Sequence, residues 1–371
     1  MNIIKKILYI TTLSRTINAF LVPHIEKLIE EGNIVDCACS VDISVDRTLL
    51  DKGVKIFDIP FTRNPLHPKN IKAFQDLIKI QSENHYDIVH VHTPIASLYG
   101  RLLKVKFPKL KTIYTVHGFH FYKGAPILNW SVYYPIERIM AMFTDTIITM
   151  NSEDYERARK FKVKKTHKVN GVGVNLNSYN LNLFDKSAAR KKVNLAIDDF
   201  VILMIAEVNQ NKNHKQMINA LDILKKKGIN IKVICAGDGP LLEDLKKDIL
   251  DRELSGNIQF LGNRSDINEL IIACDIGILL SFREGLPRNI MELMACEKPV
   301  IGTDIRGIKD LIEDNVNGYL VNVNDSIETA KKIEILFNNR ELLESMGVNA
   351  YKISKDYDVA NVIESLVEVY V

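Results

Sequence analysis

Two glutamates eight positions apart, Glu284 and Glu292, bracket the start of the segment "SFREGLPRNIMELMACEKPVI". The segment reads as strand, turn, helix, turn, strand. Pro287 suits the first turn of the helix, and Gly285 lets the backbone approach a ligand closely. The free N–H groups of that turn, with the helix dipole, favour an anion such as a diphosphate. A carboxylate only accepts hydrogen bonds, so it suits hydroxyls and repels phosphate. Carboxylates on both sides of an anion site therefore fit a ligand with hydroxyls on both sides of a diphosphate. A nucleotide sugar has that shape, with ribose on one side and hexose on the other. The plainer use of the pair is Glu284 as a dipole partner and Glu292 as a solvated helix residue.

Such a turn needs strands to hold it. Apolar runs of strand length alternate with amphipathic helical segments along the whole chain. The first half offers "KKILYITT", "IVDCACS", "VKIFDIP", "DIVHVHT", "KTIYTVHG", "DTIITMN" and "HKVNGV". The second half restarts with "FVILMIAEV", "IKVICAG", "NIQFLG", "IGILLSF", "PVIGTD" and "GYLVNV". Strand–helix alternation predicts parallel sheets covered by helices. This is too many strands for one such sheet, so the fold class is α/β with two doubly wound domains. The break falls in the Asn- and Gly-rich stretch "VNGVGVNLNSYNLNLFDKSAARKK", through which no apolar period runs. The expected organisation is a first domain over 1–172, a second over 173–355, and a tail helix, 356–371, packing back on the first domain.

Ligands of such sheets bind beyond the C-terminal ends of the strands. The residues to inspect are therefore 14–16, 92–94, 117–120, 207–212, 237–240, 262–264 and 283–289. No G-x-G-x-x-G follows the first strand, which argues against a nicotinamide enzyme.

Composition narrows the classes further. The chain of 371 residues is 46% hydrophobic and 26% charged, the mixture of a folded protein. No apolar run is long enough to span a membrane. The N-terminus alternates like a strand instead of reading as a signal peptide. Five cysteines (Cys37, Cys39, Cys235, Cys274, Cys296) form no CxxC pair, so buried thiols in a cytoplasmic protein are expected. Residues 1–170 hold 25 Lys and Arg against 16 Asp and Glu, an excess of nine positive charges. A basic half suits an anionic partner or membrane face, and equally a solvated lysine-rich surface. The segment "PILNWSVYYPIERIMAMF" puts Trp130, Tyr133 and Tyr134 among aliphatics. It reads first as a buried helix and second as a membrane-interface helix.

The segment "EGLPRNIMELMACEKPVIGTDIRGIKDLIEDNVNGYLV" resembles the donor-site signature of retaining family-4 glycosyltransferases of GT-B fold. "TTLSRTINAFLVPHIEKLIEEG", "VHTPIASLYGRLL" and "TVHGFHFYKGAPILNW" are similar to the capsule and exopolysaccharide branch of that family. The resemblance covers nearly the whole chain. It implies two Rossmann-like domains facing a cleft, the first binding acceptor and the second a nucleotide-sugar donor.

Carried over position by position, the resemblance gives Glu284 the donor-sugar hydroxyls near the reacting carbon. It gives the turn at Gly285, Leu286 and Pro287 the sugar or diphosphate, and Glu292 the ribose diol. Lys212, in "AEVNQNKNHKQMI", would reach the diphosphate. Many relatives carry an arginine five residues earlier, where this chain has Glu207. Arg283 or Arg288 could supply the missing cation. His117 matches a histidine that touches the donor sugar; a strand-capping role is the alternative. Gly237, Asp238 and Gly239 would turn near the diphosphate, and Leu261 and Gly262 lie where relatives hold the base. Ser14, Arg15 and Thr16 replace the family's glycine pair and would meet an anionic acceptor. His92 would join them or serve structure alone, and His90 is expected in the core.

The function so implied is retaining transfer of a sugar to an undecaprenyl-diphosphate-linked glycan, with a uridine diphosphate sugar as co-substrate. No metal or other cofactor is expected, fixed donors and cations stabilising the leaving diphosphate. The expected location is the cytoplasm, with peripheral contact at the inner membrane face. Two rivals share these residues: a sugar-nucleotide 2-epimerase of the same fold, and a non-catalytic nucleotide-sugar-binding protein.

Overall fold

The computed structural model describes residues 4–65 and 67–370. Two compact units emerge, one from residues 1–172 with 360–371 and the other from 173–359.

The first unit is built on a parallel sheet of seven strands: β1 (Lys6–Leu13), β2 (Ile34–Ser40), β3 (Ile56–Asp58), β4 (Ile88–His92), β5 (Lys111–Val116), β6 (Thr146–Thr149) and β7 (Lys165–Lys168). Their order is β3-β2-β1-β4-β5-β6-β7. The central strands are apolar on both faces because helices cover both; Leu8, Val89, Tyr114 and Ile147 are all buried there. The tail is locked into this unit. Tyr370 OH lies 2.5 Å from Tyr9 OH and also bonds His90 Nδ1. Lys111 Nζ donates to Val369 O at 2.9 Å. Residues 356–359, which the sequence groups with the tail, belong to the second unit, where Tyr357 OH donates to Asp310 O at 2.7 Å.

The second unit holds a parallel sheet of six strands: β8 (Val201–Ile205), β9 (Lys232–Ala236), β10 (Ile258–Phe260), β11 (Ile276–Leu279), β12 (Val300–Thr303) and β13 (Gly318–Val321). The order is β10-β9-β8-β11-β12-β13, with Leu203, Ile234, Ile278 and Ile301 in its core. In each sheet the strand order reverses once, between β1 and β4 and between β8 and β11. A reversal leaves a crevice at the C-terminal ends of the two strands, where doubly wound sheets bind ligands. All five cysteines are buried and free.

The segment 127–140 departs from the first expectation made for it. The helix Ile127–Met140 lies on the surface, with Ile127, Leu128, Val132, Ile136 and Ile139 exposed and Glu137 buried. Its inner face is filled by aromatic rings and an ion pair, leaving its aliphatics no core to enter.

Candidate active site

The second unit gathers the predicted donor residues around the β8/β11 crevice. Lys212 ends a short turn, Gln210–Lys212, whose start is capped by the Asn209 side chain accepting from Lys212 N at 3.1 Å. Its Nζ lies 2.6 Å from Glu284 Oε1, and both side chains are largely buried. Asn211 ties the two loops together. Its Nδ2 donates to Arg283 O at 3.0 Å, and its O accepts from Phe282 N at 2.8 Å.

The turn 284–287 leads into the helix Arg288–Ala295, with Pro287 at its N-cap instead of within its first turn. Asn289 Nδ2 donates to Ile205 O at 2.6 Å and so fixes the helix start to the end of β8. Behind the turn, Arg306 Nε donates to Glu284 O at 3.2 Å. A Cβ on Gly307, whose φ is +82°, would stand 2.1 Å from Gly285 O, so only glycine lets this loop back the turn so closely.

Gly237, Asp238, Gly239, Leu261 and Gly262 cluster at the ends of β9 and β10, beside the loop after β8. Gly237 N donates to Gly262 O at 2.8 Å, and Val208 N to Asp238 O at 3.0 Å. Gly237 has φ +141°, and a Cβ there would meet Ala206 O at 2.1 Å. Leu261 N bonds Cys235 O at 2.9 Å. Glu207 is exposed beside this cluster.

Glu292 sits deeper in the helix and is 9% exposed. Tyr179 OH donates to its Oε1 at 2.8 Å, and Arg288 Nε lies 3.1 Å from the same oxygen. Burial pushes the Glu292 carboxyl above its ordinary range, against the pull of Arg288 and Tyr179. Glu292 is thus a held acceptor and not a solvated helix residue. Arg288 pairs with Glu292, while Lys212 pairs with Glu284.

In the first unit, the crevice between β1 and β4 is closed by Thr12 and Thr93, whose hydroxyl oxygens lie 2.7 Å apart. His92 is buried, and its Nδ1 lies 3.2 Å from His117 Nε2. Its ring stacks on Tyr9 at 5.4 Å. Burial, then the nearby His24, pushes the His117 imidazole down to about 4, so it is neutral near neutral pH. Burial, then His90, drives His92 well below its ordinary value. His90 is a core residue bonded to Thr115 Oγ1 at 2.7 Å and to Tyr370.

Ser14 is buried, with its hydroxyl within 2.7 Å of Ile43 O and 3.0 Å of Asp42 Oδ1. Arg15 is exposed and pairs with Asp42. Against the penalty of burial, Arg15 and Ser14 hold the Asp42 carboxyl below its usual range. The loop after β1 is thereby tied to the loop after β2. Thr16, half-buried, ends the short helical turn Ser14–Thr16 that follows. Among the described residues, no three His, Cys, Asp or Glu side chains come together to hold a metal.

Tyr179 and Arg306 were not singled out from the sequence. Tyr179 lies in the Asn-rich stretch that reads as a linker, and Arg306 in a loop whose approach to Gly285 only the fold reveals.

Sequence comparisons agree with this layout. Residues 6–151 match the family described as "Glycosyl transferase 4-like" and residues 185–353 the one described as "Glycosyl transferases group 1". EpsD of Bacillus subtilis (strain 168), named as a glycosyltransferase, is 35% identical over 99% of this chain and 96% of its own. The UDP-Gal:α-D-GlcNAc-diphosphoundecaprenol α-1,3-galactosyltransferase of Escherichia coli is 26% identical over 87% of this chain and 85% of its own. Anabaena HepE, solved with UDP and glucose, superposes with a TM-score of 0.83 at 21% identity, covering 99% of each chain.

The fold is GT-B, and the class is that of the sugar-transferring enzymes built from two Rossmann-like domains. The chain belongs to the group 1, family-4-like glycosyltransferases.

Proposed function

We propose that this glycosyltransferase moves a sugar from a uridine diphosphate donor to an undecaprenyl-diphosphate-linked glycan, with retention at the anomeric carbon. The observation that carries the reading is the Lys212–Glu284 pair at 2.6 Å, set at the mouth of the β8/β11 crevice. Lys212 takes the diphosphate and Glu284 the sugar hydroxyls. The amides of the 284–287 turn add fixed dipoles where the leaving group gathers charge. Glu292, oriented by Tyr179, accepts from the ribose diol. No metal is required, because cation and amides together meet the leaving charge. The leaving phosphate accepts the proton of the attacking hydroxyl. The E. coli relative's name, with its UDP-sugar donor and diphosphoundecaprenol acceptor, supports this chemistry. So does the binding of UDP and glucose by HepE.

The test is incubation of UDP-sugars with undecaprenyl-diphosphate-linked acceptors in the presence of a chelator, with NMR of the product anomer. An α-linked product from an α-donor is expected. An inverted linkage, strict metal dependence, or epimerisation of donor without acceptor would defeat the reading.

A further inference from the structure

Three histidines meet at the C-terminal ends of β4 and β5, and the chemistry above uses none of them. His90 and His92 lie on β4, and His117 follows β5. The two strands pair in parallel with His92 opposite Thr115, which brings His92 within reach of His117. His92 Nδ1 lies 3.2 Å from His117 Nε2, with the ring centroids 5.4 Å apart. His90 has a partner at each nitrogen, Thr115 Oγ1 at 2.7 Å and Tyr370 OH. His92 is 1% exposed, and its Nε2 is buried with no hydrogen-bond partner among the described residues. His117 is half-buried, and among the described residues its ring hydrogen-bonds to His92 alone.

The place of the His92 ring is over-determined. Its centroid lies 4.3 Å from that of His90 and 5.4 Å from that of Tyr9. The next residue, Thr93, has φ +63°, a rare conformation for a β-branched side chain. Thr93 Oγ1 donates to His92 O at 2.5 Å and accepts from Thr12 N at 3.1 Å. Backbone strain of this kind persists where the surroundings enforce it, and it collects at functional sites.

Burial keeps the His92 and His117 rings neutral, so each carries one N–H. One of the two N–H groups must lie between Nδ1 of His92 and Nε2 of His117. If His117 supplied it, the N–H of His92 would sit at Nε2, buried with nothing to receive it. An orphaned buried N–H is a rare defect. With the proton on Nδ1, His92 donates, and its buried Nε2 is a bare ring nitrogen. His117 then accepts at Nε2 and carries its own proton on Nδ1, the nitrogen that no other group engages.

We propose that His92 is a positioning residue that fixes the tautomer of His117, so that His117 presents an N–H to a substrate oxygen at the strand ends of the first unit. His117 then acts as a hydrogen-bond donor and not as the base for the attacking hydroxyl. Its substrate contact rests on the transferase reading proposed above; its tautomer does not.

Nitrogen-15 NMR of the full chain, labelled at histidine, reads the tautomer near neutral pH. The His117 signals are those lost in His117→Gln. Nδ1 of His117 should be protonated and Nε2 bare. His92→Phe keeps a flat ring in the stack but has no donor, and the His117 ring should become a mixture of both tautomers. Its kcat for transfer from a UDP-sugar to an undecaprenyl-diphosphate-linked acceptor should fall about tenfold, the worth of one hydrogen bond. His92→Asn returns an N–H near the place of Nδ1, and should restore the single tautomer and most of the rate. A role in packing alone would move neither the tautomer nor its rescue. Both variants should bind UDP as the wild type does, which shows that they are folded. A wild-type His117 protonated at Nε2 would overturn the proposal even if no variant folded. So would His92→Phe with tautomer and kcat unchanged. Either result beside normal transfer would leave the transferase reading standing. A wild type with the expected tautomer and no transfer would sink that reading, and the substrate role of His117 with it.

Discussion

Lys212 Nζ and Glu284 Oε1 stand 2.6 Å apart, although the two residues come from loops after different strands. β8 and β11 are neighbours only because the strand order reverses between them. In the proposed reading Lys212 takes the donor's phosphate and Glu284 its sugar. Glu284→Gln keeps the shape but removes the charge, and should lower kcat about 10²- to 10³-fold, the usual cost of a lost transition-state partner. Initial rates at saturating donor measure it, and unchanged kcat would show that Glu284 takes no part.

Tyr179 and Glu292 form a second, separable pair. Tyr179→Phe removes the hydroxyl that donates to Glu292 at 2.8 Å. The loss of one hydrogen bond to a charged group is worth about 1.5–3 kcal/mol. Donor KM should rise roughly tenfold or more, while kcat changes little because the ribose is remote from the reacting carbon. Steady-state kinetics against donor concentration separates the two effects.

Gly307→Ala tests the loop behind the donor turn. The new Cβ would stand 2.1 Å from Gly285 O, on a backbone whose φ is +82°. Backbone strain of this kind costs about 1–3 kcal/mol. Both the melting temperature and the affinity for UDP should fall. Differential scanning fluorimetry with and without UDP reads both, and an unchanged pair of melting curves would show that the loop is slack.

Four buried histidines and the half-buried His117 make stability depend on pH. Burial, then neighbouring charges, brings His117 and His214 to about 4. Burial also lowers His24 to about 4, and His90 and His92 well below their ordinary value of 6.5. All five are neutral when folded and free to charge when unfolded. Below 6.5 the unfolded chain therefore binds more protons, and stability rises with pH. The contribution is complete above about 6.5 and drains away as pH falls toward 4. Urea midpoints should be nearly flat from about pH 7 to 8 and fall steeply below about 6.5. A midpoint that rose on acidification would contradict the assigned neutral state.

The architecture was legible because parallel strands covered on both faces must be largely apolar, and runs such as "ILYI" within Lys6–Leu13 are. The meeting of Lys212 with Glu284 was legible because both follow strand ends, where such sheets bind ligands. The helix Ile127–Met140 was misread because composition does not say which way a helix faces. Its charge lies inward, where Arg101 receives it, and that partner sits far away in sequence. Tyr179 was hidden for a similar reason: an aromatic in an Asn-rich turn carries no period to mark it. Glu207 left open which cation assists Lys212. Arg288 is occupied by Glu292, and Arg306 was invisible until its loop was seen to bond Glu284 O.

The most direct test of the central claim is calorimetric titration of UDP into the wild-type chain and Lys212→Ala. Removing the cation from the mouth of the β8/β11 crevice should weaken UDP at least about tenfold, the worth of one charge-assisted contact. Identical dissociation constants for the two proteins would place the diphosphate elsewhere and contradict the account.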